Sequence, residues 1–189
     1  LARPEGAAGL KEMFPRAPGN EWEYEIRYKL IFTPERSGTA ITKIGGSERV
    51  EGRDYTRVET AVTGIPGVSE EVKQVRRDAE GNYRVPARDG EEAVLIPASP
   101  SVGQKWLVKH ESGVDIKFEV LEQTRLETPA GLFDPCYRVK LSAATTFGTA
   151  VDEIWFSPGV GIVQEKKRRT AFSTTTTLKK FTPAATAAE

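Results

Sequence analysis

The chain has 189 residues, 38% hydrophobic and 29% charged, a balance that excludes a disordered or collagen-like polypeptide. Its 27 basic and 27 acidic side chains cancel, which removes any general attraction to nucleic acid or to anionic membranes. One cysteine, Cys136, excludes an internal disulfide, and a single histidine, His110, leaves zinc-ligand spacings nothing to act on.

A chain of this length buries roughly 70% of the surface its unfolded form exposes, enough for one domain without a metal or disulfide staple. We expect a leader over residues 1–13, one β domain over 14–181 and a tail over 182–189. The chain begins at Leu1 rather than Met, as expected if an export segment had been trimmed. No apolar run approaches the ~20 residues needed for a transmembrane helix.

In chain order the dominant period is two. Over Glu21 to Phe32, residues Trp22, Tyr24, Ile26, Tyr28, Leu30 and Phe32 alternate with Glu23, Glu25, Arg27 and Lys29. Strand side chains point to opposite faces in turn, so this spacing predicts a half-buried strand. Further strands are expected at Ala40–Ile44, Arg49–Val50 and Tyr55–Val62, divided by Gly45-Gly46 and Glu51-Gly52. Val72–Arg77 and Asn82–Val85 flank a turn at Asp78–Gly81. Ser69 offers a helix cap before Arg77, but the turn that follows favours strand.

Ala93–Ile96, Lys105–His110 and Asp115–Glu127 come next. Pro129-Ala130-Gly131 is a tight connection to Phe133–Ala143, with the fixed φ of Pro129 and a positive φ at Gly131. Val151–Phe156, Gly161–Lys166 and the Thr-rich Thr170–Phe181 complete the set. No stretch carries a helical apolar face. The expected class is therefore all-β, a curved antiparallel sheet closing into a sandwich or a partly open barrel, with little or no helix. Gly19-Asn20-Glu21-Trp22 and Gly103-Gln104-Lys105-Trp106 both precede strands, a faint internal echo of two related halves.

Chemistry-bearing motifs are sparse. No nucleophile elbow surrounds a serine, and His110 reads as a strand-end residue. Cys136 reads as a small buried hydrophobe without basic neighbours to activate it. The acid pairs Glu70-Glu71, Glu91-Glu92 and Asp152-Glu153 point to opposite faces when on strands, and a glycosidase needs two acids converging across a cleft. Lys166-Lys167-Arg168-Arg169 reads as a charged hairpin tip, with phosphate or lipid-headgroup contact as the sharper alternative.

Three segments carry a resemblance. They are Phe14-Pro15 with Pro18 to Tyr24, Glu127 to Phe133, and Trp155 to Val163. In order and spacing they resemble a group of bacterial exported or lipoprotein-type β-rich domains of unknown function, with Ser157 in place of the usual alanine. The resemblance implies a β-rich fold and export, and no activity.

The functional expectation is a non-catalytic extracytoplasmic domain that binds an apolar or amphipathic small molecule or a lipid. The alternatives are an envelope interaction module and, behind it, a carbohydrate-directed enzyme. No catalytic residue, metal ligand, cofactor or nucleic-acid partner is assigned. Candidate lining residues are Tyr24, Tyr28, Trp106, Phe118, Tyr137 and Phe156, because large aromatics on facing strands need small partners to interdigitate. The small residues Ala143, Ala144 and Gly148 cluster in one region, so incomplete filling is expected elsewhere.

Overall fold

The computed structural model describes residues 12–68, 70–109, 113–146 and 148–185. They form twelve antiparallel strands in a single sheet that curls into a nearly closed barrel. The strands are β1 (Glu21–Leu30), β2 (Arg36–Val50), β3 (Arg53–Thr63), β4 (Glu70–Arg77), β5 (Tyr83–Pro86), β6 (Glu92–Ile96), β7 (Lys105–Lys109), β8 (Asp115–Thr128), β9 (Gly131–Thr145), β10 (Gly148–Ser157), β11 (Gly161–Arg168) and β12 (Phe172–Thr182). One 3-10 turn at Arg88–Gly90 interrupts them, and no α-helix occurs among the described residues.

The alternation read in the sequence is the alternation of burial in β1. Trp22, Tyr24 and Ile26 are buried and Tyr28 is half-buried, with Arg27 and Lys29 exposed. The expected stripe is two residues too long. Leu30 is more than a third exposed, and Phe32 lies in the β1–β2 turn with its ring wholly in solvent. Gly45-Gly46 is not a strand break but a bulge inside β2, where the register to β3 shifts between Ile44 and Ser47. The basic run is not a hairpin tip either. Lys166 to Arg168 pair with Thr175 to Ser173 inside β11, leaving only Arg169 in the turn.

Pro129-Ala130 is the expected tight connection, with Thr128 opposite Gly131 and Gly131 at φ 130. The Thr128 hydroxyl accepts the Ala130 N–H at 3.2 Å, which holds the turn. Met13, assigned to the leader by sequence, is buried in the core. Ser69 and His110 fall outside the described residues.

The strand order is β6-β5-β4-β3-β2-β1-β12-β11-β10-β9-β8-β7. Each half, β1–β6 and β7–β12, is thus a six-stranded meander. The halves join through β1 against β12, while β6 and β7 approach without pairing. The sequence echo sits at the same place in each half. Ala17 to Asn20 closes a turn with Gly19 at φ 95, and Ser101 to Gln104 closes one with Gly103 at φ 84. The Asn20 carbonyl then accepts Ile44 N of β2, as the Gln104 carbonyl accepts Val120 N of β8. Trp22 and Trp106 follow, opposite Thr42 and Phe118 on the second strand of their halves.

Because the strands run up and down, their connections alternate between two ends. One end is closed. Phe14 stacks on Trp22 at 5.2 Å between ring centres, and Trp22 stacks on Phe181 at 5.1 Å. Residues 12–18 lie across it, held by Gly159 N to the Glu12 carbonyl and by the Asn20 side chain to the Pro15 carbonyl. The other end carries the β1–β2, β3–β4, β5–β6, β7–β8, β9–β10 and β11–β12 connections.

Candidate functional site

The first and third motif segments come together at the closed end. The Trp22 indole N–H donates to the Val160 carbonyl at 2.7 Å, and the Tyr24 hydroxyl donates to the Ile162 carbonyl at 2.9 Å. Burial raises the Tyr24 phenol well above its ordinary value, with the Glu165 charge adding to the effect, so it stays a neutral donor. Gly161 sits under the Phe14 ring, where a β-carbon would lie 2.7 Å from Phe14 Cδ2. The Ser157 hydroxyl donates to the Pro135 carbonyl. Every polar atom named here meets backbone, so this is a packed structural node.

The six aromatics chosen from sequence are not gathered around one space. Tyr24 is engaged at the closed end, while Tyr28 lies on the open half of β1 beside Phe172. Trp106 stacks on Phe118 at 5.1 Å, and Tyr137 sits opposite Phe156 across β9 and β10. Tyr24, Phe118 and Phe156 are buried in the common core, Trp106 and Tyr137 pack against it, and Tyr28 packs on Phe172.

Space opens at the other end. A groove of about 280 Å³ is lined by Val114 and Ile116 before and on β8, Leu141 and Ala143 on β9, and Ala150 and Asp152 on β10, with Ser142 and Arg169 at its border. The register explains the grouping. Ala143 faces Ile116 on one side and Ala150 on the other, and Leu141 faces Phe118 and Asp152. Directly opposed residues share a sheet face, so these side chains enter the same interior. Ala143 and Ala150 carry only methyl groups at this level of the sheet, and both line the open space beside Ile116. The small residues therefore mark the groove itself, the reverse of the expectation that space would lie elsewhere.

The groove wall is mostly apolar, with one ion pair. Arg169 grips Asp152 through both nitrogens, the longer bond being 2.9 Å. Among the lining residues Asp152 is the single carboxylate, so the groove does not hold two convergent acids. A second depression, of about 350 Å³, adjoins it through Arg169 and is lined by Lys29 to Ile31, Arg168, Phe172 and Ser173.

Cys136 is fully buried, and loss of hydration pushes its thiol up to about 12. No cluster of three potential metal ligands occurs among the described residues, and no helix there is long and apolar enough to cross a membrane.

No family model matches this chain, and no curated protein matches it. Two solved structures do. One is a "putative lipoprotein" from Parabacteroides distasonis, 13% identical, with a TM-score of 0.59 over 92% of this chain and 99% of its own. The other is a "putative exported protein with YmcC-like fold" from Bacteroides fragilis, also 13% identical, with a TM-score of 0.58 over 92% of this chain and 100% of its own. The chain shares their fold. At that identity the likeness extends to the arrangement of strands and not to any site.

Proposed function

We propose that this is an extracytoplasmic binding domain whose open-end groove takes the apolar part of a small amphiphile. The observation that carries the reading is the groove between β8, β9 and β10, apolar over most of its wall and bordered by the neutralised Asp152–Arg169 pair. Such a lining favours a hydrocarbon segment by removing it from water. The ion pair offers hydrogen bonds without net charge, which suits an uncharged polar head. The two structural neighbours, described as a "putative lipoprotein" and a "putative exported protein", support a location outside the cytoplasm.

The test is displacement of a fluorescent acyl probe by monoacylglycerol. Ala143→Trp fills the groove and is expected to weaken binding by at least roughly tenfold while Tm is kept. Equal affinity in the filled variant overturns the reading. The second reading, an envelope interaction module, is favoured by the unpaired edge of β7, where Leu107 is exposed.

A further inference from the structure

The apex of the β1–β2 hairpin carries three consecutive large apolar residues, Leu30, Ile31 and Phe32. They are 38%, 48% and 103% exposed. Phe32 has φ 63, a left-handed conformation that glycine, asparagine or aspartate adopts more readily than an aromatic residue. Turn chemistry and burial therefore both argue against a phenylalanine here, yet its ring projects into solvent from the tip.

The tip is fixed in place. Ile31 N donates to the Ala171 carbonyl at 3.0 Å, and Thr33 N to the Leu30 carbonyl at 3.3 Å. The first bond ties the hairpin to the β11–β12 turn, so the apolar apex sits against Lys29, Arg168 and Arg169. Glu35 is the acid within the same loop. Asp152 engages Arg169, and Glu165 engages Lys167 at 3.2 Å. Lys29 and Arg168 are exposed beside the apex, and the local balance is basic although the whole chain is neutral.

We propose that this tip is a membrane-docking wedge: Ile31 and Phe32 enter the interfacial region of an anionic bilayer while Lys29 and Arg168 meet its phosphates. Shallow apolar insertion beside a basic collar is the physical basis of interfacial binding, and it needs no broad flat surface. A stable protein partner would need a buried area far larger than three side chains at a hairpin apex provide. The four residues assigned to the bilayer, Lys29, Ile31, Phe32 and Arg168, are not among those that line the proposed amphiphile groove. Docking in this way would turn the open end of the barrel toward the bilayer.

The experiment is co-sedimentation of the folded chain with phosphatidylcholine vesicles, with and without about 30% phosphatidylglycerol. Binding is expected only with the anionic lipid, falling as salt is raised. Phe32→Asp and the double variant Lys29→Gln/Arg168→Gln are each expected to lower the partition coefficient at least roughly tenfold, with Tm unchanged. Phe32→Trp should give a blue-shifted emission component on binding, and Ala143→Trp should bind vesicles as the unsubstituted chain does. Absence of binding to anionic vesicles overturns the proposal. So does Phe32→Asp binding undiminished, which would place the contact on another surface.

Discussion

Trp22 is the residue on which the closed end turns. It is fully buried, stacked on both sides by Phe14 and Phe181, and hydrogen-bonded to the Val160 carbonyl. Trp22→Ala should cost about 3–5 kcal/mol, as large aromatic truncations do, read as a loss of denaturant midpoint at constant slope. Gly161→Ala adds a methyl group under Phe14 at a φ of 93, so destabilisation above ~1 kcal/mol is expected.

Asp78 sets an acid limit. Burial alone would raise its pKa, but hydrogen bonds from Arg84 and Asn82 outweigh that and hold the carboxyl at about 2, against an ordinary 3.8. The ionised form thus favours the folded state. Its contribution is full above about pH 4 and is lost as pH falls through 2. Glu92, lowered chiefly by hydrogen bonds from Arg76, acts in the same direction. An Asp78→Asn variant should show a shallower fall in Tm across that window, and an unchanged slope would assign acid sensitivity to other groups. Cys136, with its thiol near 12, should resist alkylation at pH 8 until the chain unfolds.

At the scale of elements, strands were legible wherever alternation was strict, because one buried face leaves the register no freedom. β1 was readable for that reason, and the Asp78–Gly81 turn and the Pro129-Ala130 connection were readable from their turn residues. Gly45-Gly46 misled because glycine marks a bulge as readily as a turn, and only the β3 partner distinguishes the two. The basic run misled because Lys and Arg stems lie along a sheet while their charges reach solvent, so charge alone does not end a strand. The groove was not legible at all. It depends on Ile116, Ala143 and Ala150 being level on three strands, a matter of register rather than of local pattern. Of the aromatics named instead, Tyr24, Phe118 and Phe156 lie in the core and Trp106 and Tyr137 pack against it, since large side chains signal burial more strongly than vacancy. A direct check at this scale is Ile116→Ala. At a half-buried groove wall it should cost less than the 2–5 kcal/mol of a core isoleucine while enlarging the groove and altering acyl-probe affinity.

Across the whole molecule, the two meanders are joined on one side by a full ladder and on the other merely adjoin. The ladder is the one between β1 and β12, the strands farthest apart in sequence. The barrel therefore cannot close until β12 has been made, and β1 must wait through the synthesis of ten intervening strands with one edge unsatisfied. Bringing distant segments together carries the largest loop-closure entropy, and rates fall as such contacts dominate. The unpaired β6–β7 boundary offers a way around this. A circular permutant opened in the 97–104 loop, with residue 185 linked flexibly to residue 12, would leave every other hydrogen-bonded strand pair consecutive in sequence. The β1–β12 pair would become a near neighbour too, and no ladder would be cut. It should refold to the same structure faster than the natural order, measured by stopped-flow tryptophan fluorescence. In the natural order, completion of the fold is a timed event, set by arrival of the final strand.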